Sequence, residues 1–356
     1  MANVAEKEIN VKGKQVSIGI DLHKQSWHVT AVVEGQECLS ATTPPRYQSL
    51  EKLFGKFAGA RIQVAYEAGF SGFGLHDQIT AAGRDCLVTP PSLVPTESGN
   101  RVKTDRRDSR KLAWYLDKGL LKRVWVLRAE QRAHRQLIRT RRQIVEHRSD
   151  VMRQIKSLLL FHGIETPADI AQGWSGRFIG WLRIVECDQA IRYCLDTLIE
   201  LYRHLTEQVK QLTREVVQLS CRGEYAERVW LLRSIPGIGV LSAMELLLEL
   251  QEVDRFASAD KLAAYVGLTP SQYSSGEHIR MGRLTHAGNH RLRTLLVECS
   301  WILIGKDPLL RKTYEAIKQR RGAKRAIIAI ARRLIIRIRS MLLHNERYRL
   351  PVLAAA

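Results

Sequence analysis

The chain has 356 residues, 45% of them hydrophobic, and is long enough for two or three domains with sizeable cores. Its 56 Lys and Arg residues outweigh 36 Asp and Glu, a net charge of +20, and its six cysteines are scattered without a Cys-x-x-Cys pair. This excludes a disulfide framework and a zinc ribbon, and no apolar run reaches membrane-spanning length, so a cytoplasmic setting is expected. The positive charge is segregated. Residues 101–156 carry 18 basic and 6 acidic residues, a net +12, and residues 280–349 carry 18 and 4, a net +14. Everything else is net −6. Two basic zones on a neutral-to-acidic background fit a polyanion held by more than one surface.

After a polar leader (1–15), Val16 to Ile20 reads as a buried strand running into Asp21. Trp27 to Val33 reads as a second strand, close enough to pair antiparallel with the first, and residues 36–42 as a weaker third. An amphipathic helix from Tyr47 to Phe57 follows Pro44-Pro45. Ile62 to Tyr66 is an apolar strand that runs into Glu67. A helix from Gly74 to Ala82 and a short strand from Cys86 to Thr89 complete the pattern. A hairpin followed by alternating helices and strands is a mixed α/β domain, here residues 16–125.

Lys103 to Ala113 then starts a helix with Asp105 and Asp108 on one face, among Lys103, Arg106, Arg107, Arg110 and Lys111. The two acids suit helix capping, Asp105 as N-cap and Asp108 at N3. They equally suit a cluster with Asp21 and Glu67, since ligands gather outside the carboxyl ends of strands. Four converging carboxylates repel one another and call for cations. Hard oxygen donors select Mg²⁺ or Mn²⁺, which can clamp both oxygens of a phosphoryl transfer.

Residues 126–222 read as a coiled-coil region. From Ala129 to Phe161, Leu137, Ile144, Val151 and Leu158 recur every seven residues, with Arg141 and Arg148 interrupting the second apolar position. In the next helix Ile191, Leu198, Leu205, Leu212 and Leu219 share one heptad position, and Leu195, Tyr202, Val209 and Val216 the other. This seam favours two strands, with either the preceding helix or another subunit as partner. The connection from Gly163 to Gly180 reads as a turn or loop.

A third region, 223–356, is mainly helical. Leu231 to Met244 contains Pro236-Gly237-Ile238-Gly239 between two short helical patterns, similar to a helix-hairpin-helix, whose turn lets backbone N–H groups approach a phosphate. Gly267 to Gly276 carries Ser274 and Ser275 in a stretch read as a loop, followed by Arg280, Arg283, His286, Arg291 and Arg293. A serine in a Gly-flanked loop before a basic wall suits attack on a phosphodiester, although Ser-Ser-Gly is also an ordinary turn. An apolar and cationic helix from Lys324 to Leu343 follows.

Taken together, these motifs resemble the DEDD-type insertion-sequence transposases, described as bridge-RNA-guided serine recombinases. The resemblance rests on Ile18-Gly-Ile-Asp-Leu-His-Lys24, Tyr66-Glu-Ala-Gly69 and Lys103-Thr-Asp-Arg-Arg-Asp108 in the first half. In the second half it rests on Ser234-Ile-Pro-Gly-Ile-Gly239, Gly267-Leu-Thr-Pro270, Tyr273-Ser-Ser-Gly276 and Leu284-Thr-His-Ala-Gly288. It implies a RuvC-like, RNase H-type N-terminal domain with an acidic tetrad at Asp21, Glu67, Asp105 and Asp108. It also implies a transposase domain whose catalytic serine is Ser275, with Ser274 the neighbouring hydroxyl.

The implied reaction is recombination of donor and target DNA through a covalent phosphoserine, assisted by Mg²⁺ (or Mn²⁺). A structured bridge RNA from the element would choose both DNAs, and the protein would act as a tetramer. Nucleic-acid contacts are expected at Lys103, Arg106, Arg107, Pro236, Gly237, Gly239, Arg280, Arg283, Arg291 and Arg293. The alternative on the same acids is a metal-dependent hydrolytic junction nuclease with no covalent step. Ser109 stands where the resemblance leads one to expect Ala.

Overall fold

A computed structural model describes residues 11–95, 104–170, 173–275, 278–285 and 288–351, with the side chains of 272–281 left out. The chain divides into two compact units, Met1–Arg128 and Ala129–Ala356.

The first unit is built on β1 (Gln15–Leu22), β2 (Trp27–Val33), β3 (Gln36–Thr43), α1 (Tyr47–Gly55), β4 (Arg61–Glu67), α2 (Gly74–Ala81), β5 (Asp85–Thr89) and α3 (Asp105–Asp117). The strands form one sheet in the order β3-β2-β1-β4-β5. The first three are antiparallel neighbours, whereas β4 and β5 run parallel to β1. The two parallel pairings require crossovers, which α1 and α2 supply.

The faces of this sheet differ because the side-chain period of a strand is two. Val16, Ile18 and Ile20 of β1, with Val64 and Tyr66 of β4, join Leu50 and Phe54 of α1 and Ile79 of α2 in one buried core. Burying each such side chain contributes about 1.5–3 kcal/mol. The opposite face is small and polar where α3 lies, with Ser17 and Gly19 on β1, Thr30 on β2, and Gln63 and Ala65 on β4. A second, smaller core forms there from Ala65, Val94, Leu112, Leu116 and Leu121.

The second unit is mainly helical: α4 (Ala129–Phe161), α5 (Gly176–Ile184), α6 (Gln189–Ser220), α7 (Gly223–Arg233), α8 (Val240–Leu250), α9 (Ala259–Val266), a ribbon of β6 (Pro270–Ser275) and β7 (His278–Leu284), α10 (His290–Ile304), α11 (Pro308–Arg321) and α12 (Ala323–His344). The apolar heptad residues of α6 face α4 in the same chain. Val151, Ile155 and Leu159 of α4 pack with Leu195, Ile199 and Leu205 of α6. Arg141, which breaks the heptad pattern of α4, donates from Nε to Thr213 Oγ1 of α6 at 2.8 Å. The two contact sets fix an antiparallel pair.

The stretch expected as a loop before α6 contains α5. Ser175 caps it by accepting from Phe178 N at 3.2 Å, and Phe178 and Leu182 are buried against the α4–α6 pair. Its glycines lowered the helical signal, and tertiary burial restored it.

A second departure is at Gly267–Gly276, read as a loop. Residues 270–275 form β6, paired antiparallel with β7 so that Ser275 stands opposite His278 and Tyr273 opposite Arg280. Ser, Gly and Pro composition marks a hairpin's ends as well as a loop, and without clear alternation the strand was hidden. The main core of the unit draws Leu246, Leu247 and Leu250 of α8 onto Leu296 and Leu303 of α10 and Ile335 and Ile338 of α12. Among the described residues no helix is long and apolar enough to cross a membrane.

Candidate active site: an acidic cluster on the sheet and a serine-bearing ribbon

Helix α3 sits on the sheet at Gly19. A Cβ at that position would lie 2.1 Å from Ser109 O and 2.4 Å from Ala113 N. Only glycine admits this approach. Ser109 is fully buried beneath the helix and makes three polar contacts, with Thr30 Oγ1 at 2.8 Å, His28 Nδ1 at 3.0 Å and Arg106 O at 3.2 Å. The serine in place of an expected alanine is therefore a bolt between α3 and β2. Burial pushes the His28 imidazole below its usual range, with Arg106 adding to the shift. At the other end of α3, Gln63 donates to Ser17 Oγ at 2.8 Å, and Ser17 donates to Asp117 Oδ1 at 3.2 Å.

These contacts hold the first turn of α3 over the carboxyl end of β1. Its N-cap is Thr104, whose side chain accepts from Arg107 N at 3.4 Å. Asp105 and Asp108 are thus inside the helix, at N1 and N4, and the capping role open to Asp105 in the sequence belongs to Thr104. Asp21 and Asp105 converge on His23, whose Nε2 lies 3.2 Å from Asp21 Oδ2 and 3.4 Å from Asp105 Oδ1. The ligand atoms of these three residues all fall within 4.8 Å of one another. Burial pushes the Asp21 carboxyl above its usual range. His23 works against that shift, and the Asp108 and Asp105 carboxylates add to it.

Glu67 ends β4 on the same face. The register pairs Ile20 with Tyr66, so one further step sets Asp21 beside Glu67. The structure therefore brings Asp21 and Asp105 together at the carboxyl end of β1, with Glu67 at the end of the neighbouring β4 and Asp108 one turn further along α3, and adds His23, which the sequence alone did not single out. Its signal was available: a ring two residues beyond a strand-end acid, in the turn before β2.

Among the expected nucleic-acid contacts, Arg106 lies 3.6 Å from Glu37, and the neighbouring Arg110 pairs with the same carboxylate at 2.9 Å. Gly237 has φ +93°, and a Cβ there would meet Cys299 O and Ile302 Cβ at 2.9 Å. The Pro236–Gly239 turn is thus shaped by packing on α10. Arg293 is half-buried, and its Nη1 donates to Gly267 O at 3.2 Å and Thr285 O at 3.4 Å, tying together the two ends of the ribbon. Arg291 is half-buried in the first turn of α10, and Arg283 is exposed on β7. Lys103 and the side chains of Ser275 and Arg280 lie outside the described residues.

The base of the ribbon is built with some rigidity. A Cβ on Gly288 (φ +100°) would come within 2.6 Å of Gly267 N, so the entering and leaving strands touch through glycine backbone. Asn289 caps α10 by accepting from Arg291 N and Leu292 N, and its Nδ2 donates to Glu249 Oε2 at 3.2 Å. Glu249 is 2% exposed. It also receives Arg139 of α4 through two bonds, Nε to Oε1 at 2.6 Å and Nη2 to Oε2 at 2.7 Å, a bidentate pair.

Comparison with known proteins places this architecture. A model described as the transposase IS116/IS110/IS902 family matches residues 230–315, and a DEDD-type IS110 model described as transposase matches residues 18–163. A putative transposase, y4qE, of Sinorhizobium fredii is 31% identical over 310 residues, covering 84% of this chain and 75% of its own.

The chain belongs to the IS110/IS116 family of transposases.

Other family relatives include the transposase for insertion sequence element IS1111A of Coxiella burnetii, 24% identical over 348 residues and covering 93% and 91% of the two chains. The pilin gene-inverting protein of Moraxella bovis is 34% identical over 137 residues, 37% of this chain and 42% of its own. The DEDD-type match spans Asp21, Glu67, Asp105 and Asp108, and its class points to divalent-metal use. The donor set fits such a metal: carboxylate oxygens of Asp21 and Asp105, with the Asp21 carboxyl's proton affinity raised by burial and by the Asp108 and Asp105 carboxylates, joined by the His23 imidazole. The IS116/IS110/IS902 match spans the ribbon and Ser275.

Proposed function

We propose that this insertion-sequence transposase cuts and rejoins donor and target DNA by serine transesterification. The observation that carries the reading is the convergence of Asp21, Asp105 and His23 where α3 docks on Gly19, in a sheet whose order is consistent with a RuvC-like domain. Ser275 Oγ attacks a phosphodiester phosphorus, and the DNA oxygen on the far side of that phosphorus leaves with a proton. One P–O bond forms as one breaks, so the bond energy is kept for rejoining when the new DNA end displaces the serine. Asp21, Glu67, Asp105 and Asp108 would hold Mg²⁺, or Mn²⁺, which when bound polarises the phosphate and neutralises developing charge.

The serine is a weak nucleophile without an activating partner, and the acids belong to a different unit of the chain. A composite site, with the two parts from different subunits of a tetramer, fits this division. We further propose that a bridge RNA from the element selects both DNAs by base pairing, so that the protein needs few base-reading side chains. The α4–α6 pair is read as the family's coiled coil, and the α7–α8 turn as its helix-hairpin-helix-like element.

The test is Ser275→Ala with supplied donor and target DNA. The covalent protein–DNA adduct seen with the unaltered protein is expected to vanish together with recombination. If the unaltered protein nicks DNA without ever yielding an adduct, and Ser275→Ala nicks at the same rate, the hydrolytic junction-nuclease reading stands instead. For the RNA, protein expressed with its flanking element should co-purify with one discrete transcript, and recombination should stop without it. Recombination by RNA-free protein removes that part of the reading.

A further inference from the structure

Between the base of the β6–β7 ribbon and the α11–α12 corner lies a cavity of about 980 Å³. Its lining joins aliphatic side chains, including Leu268, Leu284, Ile317 and Ile328, to six cations: Arg283, Arg320, Arg321, Lys324, Arg325 and Arg332. Among the described residues no carboxylate lines it. Arg332 is engaged by Asp260 Oδ1 at 2.8 Å. Among the described residues the other five cations make no ion pair, and all five are exposed.

Two features make this more than a solvated basic face. Lys324 and Arg325 occupy the first turn of α12, where the helix dipole is positive and cations are disfavoured. That helix start has no acidic residue and no side-chain cap, so its backbone N–H groups add to the same positive field. An arrangement that costs stability in the free protein is repaid by an anion. Among the described residues the lining also lacks any aromatic ring. Aliphatic walls with cations suit a sugar–phosphate backbone.

We propose that this groove seats the phosphate backbone of one strand of duplex DNA, without reading its sequence, next to the site of attack. The proposal rests on the ribbon carrying the reactive serine, as argued above. Ser275 is five residues along β6 from Pro270 in the groove, about 17 Å at strand rise. The seated phosphates would then lie about five nucleotides from the scissile bond, at about 3.4 Å per step along one strand.

The test uses the full chain carrying R321A/K324A/R325A. All three positions are exposed and alanine suits a helix, and R321A alone is a milder companion. The slope of log K against log salt is measured for a random-sequence DNA duplex and an RNA duplex. Each lost phosphate contact removes about 0.9 from the DNA slope, so the triple variant should be shallower by about 2–3 and the single variant by about 1. The RNA duplex is the comparison, because the described lining reads neither base nor sugar hydroxyl. An unchanged DNA slope overturns the proposal, as does a slope that falls on RNA alone. If the unaltered protein binds DNA and forms the Ser275 adduct while these slopes stay equal, only the groove is lost. If no adduct forms at all, the serine reading fails first.

Discussion

Gly19→Ala is the sharpest test of how the acids are held. The new methyl would sit 2.1 Å from Ser109 O and 2.4 Å from Ala113 N, both backbone atoms of α3, and 2.9 Å from Leu112 Cβ. Ordinary contact begins near 3.4 Å, so the helix must retreat by more than about 1 Å. Nothing else in the contact can yield, because β1 is bonded on both sides, to β2 and β4. Overpacking of this kind costs about 1–3 kcal/mol, and the retreat would also stretch the Ser109–Thr30 bond of 2.8 Å.

Asp105 and Asp108 ride on the moving element whereas Asp21 and Glu67 do not. A misplacement of about 1 Å between such groups costs roughly 100-fold in rate. Urea unfolding should therefore report a loss of about 1–3 kcal/mol, small enough to leave the protein folded at low temperature. Under those conditions adduct formation and Mn²⁺ affinity should both drop sharply. A Gly19→Ala protein with unaltered Mn²⁺ affinity and unaltered rate would refute the claim that this contact sets the geometry of the acids.

Ser109→Ala should leave the helix in place but cost about 1–2 kcal/mol in urea unfolding, since Thr30 Oγ1 loses its buried partner. Arg139→Ala should cost more, about 3 kcal/mol, by leaving the buried Glu249 carboxylate short of its bidentate partner, and Arg139→Lys should recover only part of the loss. Asp21 gives a pH signature. Its carboxyl holds a proton more tightly when folded than when unfolded. Without metal, stability should therefore fall as pH rises from the usual carboxylate range through the raised value, and level off above it. Asp21→Asn should remove that decline and be the more stable protein near neutrality, in urea midpoints taken with a chelator present. The same variant should lose the stabilisation that Mn²⁺ gives the unaltered chain.

Much of both units was legible where the signals are local. β2 runs over Trp27–Val33 and α4 over Ala129–Phe161, the same bounds that alternation and charge patterning give. The strand-end acids were readable for the same reason, since a lone carboxylate after an apolar run marks a place as well as a charge. What the sequence hid depends on distant partners. Arg293 looked like one more cation for a polyanion, but its guanidinium is taken by two carbonyls from the ends of the ribbon. Gly237 looked like a phosphate turn, but the backbone it makes room for is Cys299 of α10. Ser109 looked like a neutral replacement, yet its hydroxyl meets Thr30 and His28, some eighty residues away. His23 offered a local signal beside Asp21, but its second partner, Asp105, lies on a helix some eighty residues away.

The helix α4 has a mechanical consequence. It is 33 residues long, a rod of about 50 Å. Near one end it grips the exit of the serine ribbon through Arg139, Glu249 and Asn289, while its far end displays the exposed Leu160 and Phe161. A roll of the rod would reach Asn289 through Glu249, one residue from the glycine contact that closes the ribbon's base. A displacement of the rod would therefore be felt at the ribbon's base without any change in the groove or the acids.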